Sequence, residues 1–156
     1  MRQLDSPFAS GWFEEGVKGN MDAHETIRKW KDAMNEGRLE EYLGLYAPDA
    51  VLETPVVRVE GRQGVKKYDG SLASATTDST LKISSEIVSG DYAAVEWVWS
   101  GKHTGPLVLS AGTFPPSNRT FALHGTSILR FTPQGLIAKE RRYYDTRSWF
   151  EQLGLK

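Results

Sequence analysis

Residues 95–105 read VEWVWSGKHTG and residues 124–145 read HGTSILRFTPQGLIAKERRYYD. Both stretches repeat with a period of two. Trp97 and Trp99 fall at alternate positions, and in an extended strand alternate side chains share a face, so the two indoles point the same way. In the second stretch Thr132-Pro133-Gln134-Gly135 is a turn signal between two strands. The later strand sets Glu140, Arg142 and Tyr144 on one face by the same parity. Residues 80–89 also alternate, and Ser89-Gly90-Asp91 makes the turn into a hairpin partner over 92–100. A long loop over 105–119, with three prolines and two glycines, separates these strands from 120–131 and 136–145. Loops of that length are often functional.

Upstream the period changes to that of a helix. Ala23, Ile27, Trp30 and Met34 form one apolar stripe, with Asp22 and Glu25 placed as a capping box. Asn35-Glu36-Gly37 ends this helix. A second helix carries Leu39, Tyr42, Leu43 and Tyr46, and Pro48 stops it, because proline disfavours helix in the residue before it. A short strand over 50–54 and a third helix over 64–72 follow. Helices first and antiparallel strands afterwards indicate an α+β fold. Residues 1–20 have no clear period and read as an N-terminal extension or lid carrying Trp12 and Phe13; residues 21–156 read as a single domain.

The 156 residues suffice for one domain with its own core. A net charge of −1 gives no general attraction to phosphate backbones or anionic membranes. With no cysteine, thiol nucleophiles and cysteine-based zinc sites are excluded. Three scattered histidines lack metal-ligand spacing, so no metal is expected, and no motif for a nucleotide or flavin is present. No apolar run approaches a membrane span, and the N-terminus lacks the pattern of a signal peptide. The expected location is cytoplasmic.

Five local patterns together carry a family resemblance: Trp30-x-x-Ala-x-Asn-x-Gly37, Leu45-Tyr46-Ala47-Pro48-Asp49-Ala50, VEWVWSGxHTG, LRF-x-x-x-G-x-I, and the terminal YYD-x-x-x-W-x-x-QLG. Over about residues 21–154 the chain resembles the SnoaL-like branch of the nuclear transport factor 2-like superfamily. That branch includes polyketide cyclases, with limonene epoxide hydrolase and ketosteroid isomerase as cousins. The resemblance implies a cone-shaped α+β barrel, with three N-terminal helices packed on a curved antiparallel sheet. It also implies which side chains look into the cone: Leu52, Thr54, Val95, Trp97, Trp99, Leu123, Gly125, Ser127, Glu140, Arg142 and Tyr144, with Trp30 on the helix that helps close it. The acid–base positions of ketosteroid isomerases fall on Trp30, Thr54 and Ser127. The Arg and Asp of epoxide hydrolases fall on Trp97 and Trp99, and their other Asp, with the catalytic Asp of the cyclases, falls on Arg142. The known constellations are therefore absent, and this fold hosts many unrelated activities.

Glu140 and Arg142, roughly 7 Å apart along one strand face, are the sharpest candidate pair. A desolvated glutamate can act as a proton shuttle near neutral pH. Arg142 stays charged and can stabilise an oxyanion or grip a carboxylate; the alternative for the pair is a structural salt bridge. Tyr144 is a candidate hydrogen-bond donor, and Ser127 an auxiliary one. Trp30, Trp97 and Trp99 can position a ring or simply fill the core. Parity points His124 away from the cavity, and His103 reads as a surface or rim histidine. The expected activity is cofactor-independent isomerisation, cyclisation or dehydration of a hydrophobic oxygenated molecule. The rival is a non-catalytic member that binds a small molecule or a protein. The expected partners are a small-molecule ligand and a second copy of the chain docked through the outer sheet face, with Val98 and Ile128 interfacial; no nucleic acid and no membrane are expected.

Overall fold

Asp22 opens the first helix, α1 (Ala23–Asn35), by accepting the His24 backbone N–H at 2.9 Å. The computed structural model describes residues 22–155, so the segment over 1–20 read as an extension or lid lies outside the described residues. Ile27, Trp30 and Ala33 form the buried stripe of α1. Helix α2 (Leu39–Gly44) follows, then strand β1 (Tyr46–Glu53) with its short partner β2 (Arg58–Glu60), and helix α3 (Gly61–Ser74). Strands β3 (Thr76–Ser89), β4 (Tyr92–His103), β7 (Thr120–Phe131) and β8 (Ile137–Tyr144) are long, and helix α4 (Thr146–Leu153) ends the chain. Asp145 caps α4 by accepting the Ser148 N–H at 3.1 Å.

Six strands form one sheet in the order β2-β1-β8-β7-β4-β3. The helices and the sheet make the expected α+β cone, with one difference in pairing. β1 runs parallel to β8, so the sheet is mixed and not wholly antiparallel. Between β1 and β8 the chain runs through β2, α3 and the other long strands, so no tight hairpin, which would force an antiparallel pair, joins the two.

Three sequence expectations are corrected here. Tyr46 is not in the second helix; it begins β1, and Pro48 sits where the β1–β8 register shifts between Tyr46 and Val51. A proline lacks the N–H that a regular ladder needs, so an irregular stretch of strand accommodates it. The supposed loop over 105–119 contains a two-stranded hairpin, β5 (Leu107–Leu109) with β6 (Gly112–Phe114). His103 is not at the surface. It is buried, and its Nδ1 accepts the Ser117 backbone N–H at 3.1 Å, tying the end of β4 to the loop. Burial holds its pKa below the usual histidine value.

The core runs between α1, α3 and the concave sheet face. Val95, Leu123, Leu129 and Ile137 come from the strands, and Ile27, Trp30 and Val65 from the helices. Two glycines permit close approach here. A Cβ on Gly125 would lie 2.3 Å from the Trp97 ring, so the indole can lie across β7 only because that side chain is absent. A Cβ on Gly105 would lie 2.4 Å from the Ser74 carbonyl oxygen, which lets the chain leaving β4 press against the end of α3.

Candidate active site

Strand parity holds where it matters. Trp97 pairs with Gly125, and Ser127 pairs with Arg142, with their side chains on the concave face. A cavity of about 500 Å³ opens there, within the usual range for a small-molecule site. Trp30, Trp97, Trp99 and Tyr42 give it aromatic walls, with Met34, Leu39, Leu72 and Leu81 as aliphatic ones. Its two charged groups are Asp69 and Arg142. A wider groove of about 810 Å³ between α1 and β3 is lined largely by polar and charged groups, including the hydrogen-bonded His24 and Glu86.

Asp69 is the residue that strand reasoning passes over. It lies on α3 among Val65, Tyr68 and Leu72, at the i, i+3, i+4, i+7 positions of the inward stripe. A carboxylate in that register was the available signal. In place, Asp69 is 9% exposed at its side chain, as is Arg142. Arg142 donates from Nη1 to Asp69 Oδ1 at 2.6 Å and from Nη2 to Oδ2 at 2.8 Å. This is the bidentate fork that planar guanidinium makes with carboxylate.

Behind Arg142, away from the cavity wall, lies Glu140. Its side chain is fully buried. Oε2 accepts from Arg142 Nε at 2.8 Å and from the Ser127 hydroxyl at 2.7 Å. Oε1 meets the Tyr46 hydroxyl at 2.5 Å and Arg142 Nη2 at 3.2 Å. All its acceptor positions are taken from inside the protein. Ser127 in turn accepts the Trp97 indole N–H at 2.9 Å, which fixes that ring. Trp30 donates to the Tyr46 hydroxyl at 3.0 Å. Tyr42 donates to Asp69 Oδ2 at 2.6 Å and lies 2.9 Å from the Tyr46 hydroxyl.

The electrostatics follow from this burial. Desolvation opposes the Arg142 charge, but Asp69 and Glu140 outweigh it and raise the guanidinium pKa well above the ordinary value. Burial, reinforced by the neighbouring acids, pushes the Tyr42 and Tyr46 phenols well above the usual tyrosine range. Burial also raises Tyr68, with Tyr144 beside it.

Of the residues singled out in the sequence, Trp30, Trp97, Trp99 and Arg142 line the cavity. Val95, Leu123 and Ser127 are buried in the core beneath it. Thr54 turns the chain from β1 to β2, its hydroxyl accepting the Val56 and Val57 N–H groups at 3.1 Å each. Tyr144 packs edge-on against Trp149 and reaches the Tyr68 hydroxyl at 3.5 Å. Tyr42, Tyr46 and Asp69, none of them among the strand candidates, complete the polar cluster. Among the described residues no group of three or more His, Cys, Asp or Glu side chains is arranged to hold a metal ion.

A curved sheet with an aromatic cavity over an Arg–carboxylate floor now meets the family comparison. Residues 27–140 match the SnoaL-like domain, and the chain belongs to that family. A comparison with curated protein sequences gives no match. Among solved structures, TsrD from Streptomyces laurentii is similar with a TM-score of 0.75 at 25% identity, covering 88% of this chain and 100% of its own. A putative SnoaL-like polyketide cyclase from Jannaschia sp. CCS1 has a TM-score of 0.74 at 16% identity, over 86% of this chain and 92% of its own. A protein of ketosteroid isomerase-like fold from Catenulispora acidiphila DSM 44928, in complex with trimethylamine, has a TM-score of 0.70 at 20% identity, over 85% and 94%. At those identities the last two speak for the fold.

Proposed function

We propose that the protein is a cofactor-independent enzyme that moves a proton on a hydrophobic, oxygenated small molecule, by isomerisation, cyclisation or dehydration. One observation supports this best. At the cavity floor Arg142 Nη1 uses one of its two hydrogens on Asp69 Oδ1, and that oxygen accepts nothing else among the described residues. One N–H donor and one carboxylate lone pair are thus left side by side. A substrate carbonyl can accept from Nη1 while its adjacent C–H faces Oδ1. Asp69 then takes the proton, and Arg142 stabilises the oxyanion that forms. The indoles hold the ring system against this pair. In this reading the proton-accepting role expected of Glu140 passes at the cavity wall to Asp69, with Tyr42 as the nearest auxiliary hydroxyl and Tyr144 set aside.

The test is proton–deuterium exchange and turnover over a panel of enolisable cyclic ketones and polyketide-like diketones, followed by NMR. Wild type should exchange or convert a member of the panel. Asp69→Asn should bind it with similar affinity while losing at least ~100-fold in rate, the usual scale of a general base. Binding without any turnover in wild type would favour the non-catalytic, ligand-binding reading.

A homodimer through the outer sheet face and a cytoplasmic location belong to the same proposal. Supporting the dimer, Ile87 is 68% exposed and lies in one cross-sheet row with Ala94 and Ile128, near the 53% exposed Tyr143. Light scattering on wild type and Ile128→Asp decides it: a mass that halves in the variant supports the dimer, and a monomeric wild type rejects it. No described helix is long and apolar enough to cross a membrane.

A further inference from the structure

A chain of four oxygens runs through the buried cluster from Glu140 Oε1 to Tyr46 Oη (2.5 Å), on to Tyr42 Oη (2.9 Å), and on to Asp69 Oδ2 (2.6 Å). Each of these three contacts is at hydrogen-bond distance and needs one hydrogen between its oxygens. The two phenols supply only two. With both acids ionised, the phenol hydrogens point outward to the carboxylates, and the central contact sets lone pair against lone pair.

One additional hydrogen on either acid completes the chain. With it on Glu140, Tyr46 accepts from Glu140 and from Trp30 Nε1, and donates to Tyr42. Tyr42 accepts from Tyr46 and from Arg142 Nη2, and donates to Asp69. Both phenols then use two acceptor positions and one donor, which is their full capacity. Charge leads to the same count. Glu140, Asp69 and Arg142 carry −1 in sum when all are ionised, and an uncompensated buried charge is costly. One more proton makes the cluster neutral.

We propose that Glu140 and Asp69 share one proton through Tyr46 and Tyr42, and that the proton rests on Glu140. Glu140 is the fully buried partner, while Asp69 borders the cavity and takes Arg142 bonds of 2.6 Å and 2.8 Å against 2.8 Å and 3.2 Å at Glu140. Arg142's longest bond, 3.2 Å, goes to Oε1, the atom that carries the resting proton. The groups facing the chain are Arg142 from β8, Asp69 from α3, Tyr42 from α2 and Tyr46 from β1, with Trp30 and Ser127 as neutral donors. The transfer balances as three proton shifts: Glu140 to Tyr46, Tyr46 to Tyr42, and Tyr42 to Asp69 Oδ2. It leaves Glu140 ionised, Asp69 neutral and both phenols intact. Glu140 is therefore a positioning residue that sets the charge of Asp69 from inside the fold. Its importance for catalysis rests on the reading of Asp69 as the group that meets substrate; the location of the proton does not.

Infrared spectroscopy of the unliganded full chain near neutral pH tests this without any substrate, so it can fail or succeed apart from the enzymatic reading. Samples labelled with carboxyl carbon-13 in glutamate or in aspartate identify the carrier. A single protonated-carboxyl band that moves with the glutamate label, ignores the aspartate label and vanishes in folded Glu140→Gln is the expected result. In folded Tyr46→Phe the band should rise in frequency as its acceptor is lost, which a purely structural role for Tyr46 would not cause. Absence of a protonated-carboxyl band in wild type overturns the proposal. So does a band that follows only the aspartate label, or one unmoved by Tyr46→Phe.

Discussion

Arg142 on β8 reaches Asp69 on α3 through two parallel hydrogen bonds of 2.6 Å and 2.8 Å, and the same guanidinium holds Glu140 two residues before it. One cation thus joins the sheet to the helix that roofs it. Replacing it by the similarly long Arg142→Met leaves two acids buried without their partner. Breaking such a buried pair costs about 3–5 kcal/mol, and urea unfolding at neutral pH should read a loss of that size.

Gly125 and Trp97 face each other across β7 and β4, with space for no side chain between them. Gly125→Ala should push the indole from its Ser127 hydrogen bond and into the cavity. Overpacking of this kind costs roughly 1–3 kcal/mol. Tryptophan emission should shift and the cavity should bind an apolar dye less tightly; unchanged values for both would contradict the packing described.

The raised phenols make stability depend on alkaline pH. Tyr42, Tyr46 and Tyr68 stay protonated in the fold, whereas in the unfolded chain they ionise near pH 10. Above that value the unfolded state binds fewer protons than the native one, so stability falls as pH rises. The expected slope is about 1.4 kcal/mol per pH unit for each such tyrosine. Unfolding measured between roughly pH 9 and pH 11, the window around the free phenol value, should show a shallower decline in Tyr42→Phe and Tyr46→Phe.

His103 acts at the other end of the scale. Burial lowers its pKa, so below the unfolded value of about 6.5 the unfolded chain takes up a proton that the native one refuses. Stability should therefore fall as pH drops through that value towards the folded pKa. A folded His103→Asn variant, with a flatter profile between neutral and mildly acidic pH, is the check by thermal unfolding.

Much of the architecture was legible because strands and helices write their periods locally. The alternation around Trp97 and Trp99, the Thr132–Gly135 turn and the Asp22 cap needed only neighbours in sequence, and Trp30, Trp97, Trp99 and Arg142 line the cavity. Tyr46 was misplaced because Tyr42 and Tyr46 are four residues apart and fit a helix equally well; the pairing with β8, more than ninety residues away, makes Tyr46 a strand residue. Asp69 could have been suspected from its place on the apolar stripe of α3, but nothing local names its partner.

By itself, then, the sequence determined the α+β class and the residues that share each strand face, since side-chain direction in a strand is fixed every two residues. Only the tertiary structure decided that Glu140 turns its carboxyl group inward to four hydrogen-bond contacts, that Asp69 comes to the cavity floor, and that two phenols bridge the acids. Those relations depend on how α2 and α3 dock on the sheet, a contact between distant segments set by packing and burial, with no spacing in the chain to record it.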